Sequence, residues 1–113
     1  MATSLPTLTP KTDTQEETRT RRIPPYNVVL LNDEHHTQEF VIGVLMKVLG
    51  CQHERAFQLM MEAHTTDRAV IWTGTKEGAE LKQEQVRTFH EKHWKDGRDL
   101  GPLACDIEPA PGA

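Results

Sequence analysis

The sequence predicts an α+β sandwich in which a small antiparallel three-stranded sheet is covered by three helices. Short β-branched or alternating runs occur at three separate places in the chain, and two consecutive helical patterns follow the first of them. Strands and helices do not alternate regularly, and there is no internal repeat. The predicted order is therefore strand, helix, helix, strand, helix, strand.

Length and composition indicate one small soluble domain. The chain has 113 residues, of which 36% are hydrophobic and 27% charged, enough for one modest core. Its net charge of -4 argues against nucleic acid as a partner, because nucleic-acid binders usually carry a basic face. No apolar stretch is long enough for a membrane span, and the N-terminus lacks a secretion signal. We therefore expect a cytoplasmic protein in which Cys51 and Cys105 are free thiols.

The two ends of the chain are expected to lie outside the folded domain. Residues 1–23 are rich in threonine and charge, so they are interpreted as a disordered N-terminal extension that cannot bury enough surface to fold. Pro24 and Pro25 then form a stiff hinge. The domain is expected to span residues 24–108, and residues 109–113 are expected to be a disordered C-terminus.

The first strand and the first helix have clear boundaries. Tyr26 to Leu31 is a short β-branched run, and because both of its faces are apolar it favours a central or covered position. The first helix is predicted from Gln38 to Leu49. Thr37 suits its N-cap, Glu39 lies near the positive end of the helix, and Gly50 can end it with a positive φ.

The remaining elements are predicted from periodicity. A second helix from His53 to Thr65 should pack against the first as an antiparallel hairpin. A second strand is predicted from Arg68 to Thr73, and a third helix from Lys76 to Trp94. A loop rich in glycine leads to Pro102, and a last strand follows in which Leu103, Cys105 and Ile107 alternate with polar or small residues.

Motifs for catalysis or metal binding are weak. On the predicted third helix, His90 and His93 could share a face, but their spacing is one residue short of the metalloprotease motif. Cys51 and His53 are too close in sequence for the usual paired zinc ligands. No nucleophile lies at a recognisable spacing from a base, and no glycine loop could hold a phosphate. We therefore expect no enzyme, no cofactor and no metal, although a small metal-binding protein remains an alternative.

The polar stretch from Asn32 to Phe40 is either a solvated turn with a helix cap or a binding loop. His64 likewise is either a structural residue or a ligand, since it ends an apolar helical stripe. If His64 points towards the loop, an amide oxygen, a carboxylate and a neutral imidazole would meet beside an apolar pocket. Three such acceptors suit a cationic amine attached to an apolar group, as at the free N-terminus of a peptide.

Several short stretches together resemble the ClpS adaptors. They are Pro24-Pro25-Tyr26, Leu31-Asn32-Asp33, Glu39-Phe40-Val41-Ile42, Arg55-Ala56, Leu59-Met60 and Ala63-His64, followed by Thr75, Glu77, Ala79-Glu80, Lys82, Pro102-Leu103, Cys105 and Glu108. The resemblance covers residues 24–108 with one insertion before Pro102. It implies a cytosolic, non-enzymatic adaptor that binds the free, destabilising N-terminal residue of a substrate protein, the N-degron. Such adaptors deliver the substrate to the Clp AAA+ unfoldase and protease, and we expect this one to be a monomer.

The resemblance also implies roles for individual residues. Those that bind the substrate's α-amino group are Asn32, Asp33, Glu34 and His64. Those that line the side-chain pocket are Leu30, Leu31, His36, Gln38, Val41, Met60, Ala63 and Leu103. Those that dock on the N-terminal domain of the unfoldase are Glu77 and Lys82, and the segment before Pro24 would engage the unfoldase during hand-off.

Three residues depart from the family pattern. Glu34 stands where a second aspartate is usual, His36 replaces a threonine, and Gln38 replaces a methionine at the pocket mouth. These changes make the rim of the pocket more polar and suggest that its selection of N-terminal side chains is altered. Our hypothesis is that the pocket admits Ile or Val besides Phe, Tyr, Trp and Leu. A docking module that regulates a chaperone without binding degrons remains the other alternative.

Overall fold

The structure, a computed structural model, describes residues 23–111 of the chain. Its elements are β1 (Tyr26–Leu31), α1 (Gln38–Leu49), α2 (His53–Thr66), β2 (Arg68–Gly74), α3 (Lys76–Arg87), β3 (Glu91–Lys92), β4 (Asp99–Gly101) and β5 (Cys105–Pro109). β1, β2 and β5 form a three-stranded antiparallel sheet in the order β2-β1-β5, while β3 and β4 form a separate hairpin. The predicted α+β class and the three-stranded sheet are confirmed.

The central position predicted for β1 is also confirmed. Val28 faces the helices and is completely buried, as expected for a strand paired on both sides. Val29 points to the opposite face and is completely buried as well. The register explains why: Arg68 pairs with Leu31 and Glu108 pairs with Asn27, so the 2.6 Å ion pair between Arg68 and Glu108 crosses β1 over Val29.

Both predicted caps of α1 are confirmed. The Thr37 hydroxyl oxygen accepts a hydrogen bond from the Phe40 N–H at 3.2 Å, which satisfies one of the free donors at the start of the helix. Gly50 ends the helix with φ +67°, and its N–H donates to the Met46 carbonyl. Because these two caps are local, the predicted and observed boundaries of α1 coincide.

The core lies between the sheet and the three helices. α2 contributes the predicted stripe, and each of its members is at least 96% buried: Ala56, Leu59, Met60 and Ala63. α1 contributes a wider apolar face that includes the fully buried Leu45. α3 is mostly polar and contributes Ala79 and Val86, both with no exposed area, as predicted.

The predicted end of the third helix is wrong. α3 ends at Arg87 rather than Trp94, because Thr88 closes its last turn: the Thr88 hydroxyl donates to the Gln85 carbonyl at 2.7 Å. The chain then forms the β3–β4 hairpin, with Gly97 in its turn at φ +72°. His90 and His93 therefore do not share a helix face.

The sheet extends one residue beyond the expected C-terminal boundary. β5 includes Pro109, and the N–H of Ala110 donates to the Pro25 carbonyl at 2.8 Å. The two ends of the described fold are therefore hydrogen-bonded to each other. The expectation of disorder for residues 1–22 and 112–113 lies outside the described residues.

Candidate functional site

Two backbone hydrogen bonds fix the start of the loop between β1 and α1. The Leu31 N–H donates to the Ala104 carbonyl at 3.0 Å, and the Asn32 N–H donates to the Asp67 carbonyl at 2.9 Å. Asp67 follows the last residue of α2 with φ 75°, so the end of α2 is tied to the start of the loop. Loop and helix are thereby fixed relative to each other.

A cavity of about 290 Å³ opens between this loop, α1, α2 and the segment before β5. Twelve residues line it: Leu30, Leu31, Asn32, Asp33, Glu34, His36, Gln38, Val41, Met60, Ala63, His64 and Leu103. These include all the residues to which the sequence analysis gave amine-binding or pocket-lining roles. The structure thus brings together side chains that are up to 73 positions apart in the sequence, from Leu30 to Leu103.

The cavity has an apolar and a polar part. Leu30, Val41, Met60, Ala63 and Leu103 are all at least 92% buried and form its apolar surface. The polar part comes from the loop and from His64 at the last turn of α2. His64 is exposed, so its interpretation as a buried structural residue is wrong.

Three polar side chains around the cavity have no hydrogen-bond partner in the described part of the chain. Within residues 23–111, the side chains of Asn32, Glu34 and His64 make no hydrogen bond to protein. Each of them can accept hydrogen bonds: an amide oxygen, a carboxylate and one ring nitrogen of a neutral imidazole. The cavity mouth therefore offers acceptors next to apolar surface.

Asp33 is engaged differently. One of its carboxylate oxygens accepts the His35 N–H at 2.7 Å, and the other lies 2.7 Å from Nδ1 of His36. Such bonds from an aspartate to the next residues stabilise a turn. Asp33 therefore shapes the loop, although each of its oxygens keeps a further lone pair that could reach a ligand.

His36 is more deeply buried than a rim residue. Its side chain is only 2% exposed, Nε2 lies 2.9 Å from the Gly101 carbonyl oxygen, and the ring stacks on Phe40 at a centroid distance of 5.4 Å. Both of its ring nitrogens are thus used inside the protein. Gln38, by contrast, is exposed, and its side chain makes no hydrogen bond within residues 23–111.

The β3–β4 hairpin contacts the loop beside the cavity, and sequence reasoning missed it. Its Glu91 carboxylate accepts hydrogen bonds from the N–H of Thr37 at 3.0 Å and from the Thr37 hydroxyl at 2.7 Å. Asp96-Gly97, a dipeptide common in hairpin turns, was the signal that could have revealed it. The helical spacing of Val86, Phe89 and His93 outweighed that signal.

Asp99 makes hydrogen bonds within this hairpin. Asp99 accepts the Gly101 N–H at 2.7 Å and lies 3.1 Å from Nδ1 of His90. The Gly101 N–H, followed by the His90 side chain, lowers the pKa of the Asp99 carboxyl to about 2. The carboxylate is therefore the form that holds β4 in place.

The two residues with a predicted docking role lie on α3 and do not line the cavity. Glu77 is exposed in the first turn of the helix. Lys82 is half-buried, and its ammonium group donates to the Val48 carbonyl at 3.0 Å, near the end of α1. Lys82 thus has a structural role, because it satisfies one of the free carbonyls at that helix end.

Within the part of the chain that the structure describes, no three His, Cys, Asp or Glu side chains are grouped closely enough to hold a metal ion. Cys51 and Cys105 are both free thiols, and burial raises the pKa of the Cys105 thiol to about 11, so it is unreactive. None of the helices between residues 23 and 111 has the length and apolar content to span a bilayer.

Comparison with solved structures finds a protein of the same fold. The structure of Agrobacterium tumefaciens ClpS2 bound to L-phenylalaninamide superimposes with a TM-score of 0.63 and 31% sequence identity. The match covers 77% of this chain and 98% of that one. L-phenylalaninamide carries a free amine beside an apolar side chain.

Comparison of sequences gives the same family. An adapter protein from Ruegeria sp. (strain TM1040) is 37% identical over 95 residues, covering 84% of this chain and 79% of the relative. One from Aromatoleum aromaticum is 40% identical over 93 residues, covering 82% and 85%. Both are named ATP-dependent Clp protease adapter protein ClpS. The family sequence model described as "ATP-dependent Clp protease adaptor protein ClpS" matches residues 21–106, and the chain therefore belongs to this family of non-enzymatic adaptors.

Proposed function

We propose that this protein is a cytoplasmic adaptor that binds the free N-terminal residue of substrate proteins and delivers them to a Clp AAA+ unfoldase. One observation carries the proposal: a single cavity joins apolar surface to hydrogen-bond acceptors that have no partner within residues 23–111. An N-terminal residue has the complementary form, since a charged amine and an apolar side chain branch from one carbon atom. Membership of the ClpS family supplies the link to the Clp protease.

In this proposal the amine binds at the polar part of the cavity. The amide oxygen of Asn32, the carboxylates of Asp33 and Glu34, and the neutral ring of His64 accept its hydrogen bonds. A hydrogen bond to a charged group contributes roughly 1.5–3 kcal/mol, and the three available protons of the ammonium group would be shared among these acceptors. A peptide whose N-terminus is acetylated offers neither the charge nor these donors.

The side chain of the same residue enters the apolar part. Leu30, Leu31, Val41, Met60, Ala63 and Leu103 surround it, and His36 and Gln38 complete the lining. Burial of one apolar side chain contributes roughly 1.5–3 kcal/mol. Together with the amine contacts, and after the cost of association, an affinity in the micromolar range follows, about -8 kcal/mol. Such an affinity suits an adaptor that must release its substrate.

The ligand of the related solved structure supports this arrangement. ClpS2 of Agrobacterium tumefaciens binds L-phenylalaninamide, which has the amine and the apolar side chain of an N-terminal residue. For this chain we propose the same two-part recognition. Docking on the N-terminal domain of the unfoldase would use Glu77 and Lys82 on α3, and residues 1–23 would engage the unfoldase during hand-off.

The decisive experiment compares free and acetylated peptides. A fluorescent peptide that begins with Phe is titrated with the protein and followed by fluorescence anisotropy, and the acetylated peptide of the same sequence is the control. We expect micromolar binding of the free peptide and a loss of at least about tenfold on acetylation, since one charge-assisted hydrogen bond corresponds to that factor. Replacement His64→Ala should weaken the free peptide by a similar factor and leave the acetylated peptide unchanged.

Two other outcomes would contradict the proposal. Equal affinity for both peptides would show that the cavity does not recognise the amine. Binding to the Clp unfoldase without binding any free-amine peptide would instead favour a docking module that regulates a chaperone.

A further inference from the structure

One residue pair of the β3–β4 hairpin contacts two consecutive residues of the loop between β1 and α1. Glu91 and Gly101 pair across the hairpin. The Gly101 carbonyl oxygen lies 2.9 Å from Nε2 of His36, and the Glu91 carboxylate accepts two hydrogen bonds from Thr37 at 3.0 and 2.7 Å. The hairpin is thereby attached to the loop that carries Asn32.

The hydrogen-bond partners of His36 define its protonation. A carbonyl oxygen cannot donate, so Nε2 carries a hydrogen towards Gly101. Nδ1 faces Oδ2 of Asp33 at 2.7 Å, and the other oxygen of that carboxylate already accepts the His35 N–H. A carboxylate is also an acceptor only, so both contacts are satisfied together only when both ring nitrogens carry hydrogens. The imidazolium form is therefore the one that fits the site.

Water cannot easily replace these bonds. The side chain of His36 is 2% exposed and that of Asp33 is 12% exposed. The face of the ring stacks on Phe40 of α1. Breaking either hydrogen bond would therefore leave a nearly buried polar atom unpaired, which is unfavourable.

We propose that His36 is a positioning residue of the N-terminal-residue site, whose imidazolium holds Asp33 and Gly101 together and so fixes the loop that presents Asn32 and Glu34. This inference rests on the proposed function and gives His36 a role beyond lining the pocket. It also makes the β3–β4 hairpin part of the binding site. The clamp comprises His36 with Asp33 and Gly101, and Thr37 with Glu91.

Within residues 23–111, Asp33 is the ionisable side chain that contacts the His36 ring. A ring with one hydrogen would offer a single donor to two acceptors, so the clamp needs both ring hydrogens.

The test uses two replacements of His36 and a matched control. In His36→Gln, the neutral amide can donate towards Gly101 but carries no charge for Asp33, so we expect roughly tenfold weaker binding of the free-amine peptide. In His36→Arg, the guanidinium remains charged and can donate to both partners, so binding should stay within a few-fold of wild type. His35→Gln is the control, because His35 is exposed and does not line the cavity; its affinity should equal that of wild type.

Wild-type affinity in His36→Gln, or a loss in His36→Arg as large as that in His36→Gln, would overturn the inference.

A measurement without ligand distinguishes failure of this inference from failure of the proposed function. If the wild-type protein binds no free-amine peptide, the proposed function fails and the clamp is judged by amide hydrogen exchange. Faster exchange of residues 35–37 together with Gly101 in His36→Gln and in Glu91→Gln would support the clamp. Unchanged exchange in both variants, with their melting temperatures intact, would refute it.

Discussion

At the scale of single residues, the polar side chains of the site divide into two groups. Asp33 and His36 are hydrogen-bonded to each other. Asp33 also accepts the N–H of His35 in the loop, and His36 also contacts the Gly101 carbonyl of the hairpin. Asn32, Glu34 and His64 have no hydrogen-bond partner within residues 23–111, and we propose that they bind the amine of the ligand. Preorganised acceptors of this kind reduce the ordering that a ligand must induce.

Gln38 is the residue at which N-terminal preference can be tested. Methionine would pack its flexible thioether across the pocket mouth, whereas an exposed glutamine prefers water and leaves the mouth open. We therefore expect wild type to bind peptides that begin with Ile or Val, and Gln38→Met to disfavour them relative to Phe by roughly 1–3 kcal/mol. The measurement is anisotropy with peptides bearing each of the twenty N-terminal residues.

The neighbouring Glu39 provides the control for that comparison. It is exposed but does not line the cavity, so Glu39→Gln should keep the preference of wild type. If wild type already accepts only Phe, Tyr, Trp and Leu, the hypothesis of an altered selection is wrong.

The sequence revealed which residues lie around the cavity but not all of their contacts. The resemblance placed His36 in the pocket, yet the pairing of His36 with Gly101 joins residues 65 positions apart. Nothing in local composition specifies such a contact, because it depends on where the hairpin lies after folding. The carboxylate of Asp33 was expected to serve a ligand directly, and its bonds to His35 and His36 became visible only in the folded loop.

At the scale of elements, α1 allows the same substitution to be tested at two glycines with opposite results. Gly50 has φ +67°, so Gly50→Ala should lower the free energy of unfolding by about 1 kcal/mol. Gly43 lies inside the helix with open space where a Cβ would be, so Gly43→Ala should raise it by about 0.5–1 kcal/mol. Urea denaturation followed by circular dichroism measures both, and equal effects would contradict the assigned cap.

The β3–β4 hairpin should depend on the charge of Asp99. Its pKa is lowered to about 2 in the folded state, so its contribution is fully present above the ordinary carboxyl value and is lost as the pH falls through about 2. We expect the Gly101 amide of wild type to lose protection against hydrogen exchange between about pH 4 and 2. In Asp99→Asn this amide should exchange faster at neutral pH and show no such acid transition. The same acid transition in both proteins would assign it to another group.

Elements were predictable where their signals are local. Thr37 and Gly50 define α1 by chemistry within a few residues of each end, and both were identified. The end of α3 was missed because an apolar periodicity continues past Thr88, while the structure uses Phe89 to cover the core beyond the helix. The bond between Thr37 and Glu91, 54 positions apart, then stabilises a hairpin that periodicity could not indicate.

At the scale of the whole molecule, the cavity and the predicted docking surface are separate. Glu77 is exposed on α3 and does not line the cavity. We therefore expect Glu77→Lys to abolish binding to the N-terminal domain of a Clp unfoldase, while the affinity for a free-amine peptide stays unchanged. Glu84→Lys, the same charge change at an exposed position on the same helix, is the control. Parallel titrations with the unfoldase domain and with the peptide give the result.

Loss of both activities in Glu77→Lys would show that the two surfaces are coupled. Equal weakening by Glu77→Lys and Glu84→Lys would indicate a general effect of charge rather than a specific contact. Lys82 is less suitable for this test, because its removal would also leave the Val48 carbonyl without its donor.

The hydrogen bond between Ala110 and Pro25 brings the entry and the exit of the described fold side by side. A short glycine-rich bridge could therefore connect residues 23 and 111, and new termini could be opened elsewhere in the same domain. The exposed turn around Gly97, at the far end of β3 and β4 from Gly101, offers a place for that opening. A circular permutant of this design would carry its new termini, and any fluorophore attached to them, in that turn.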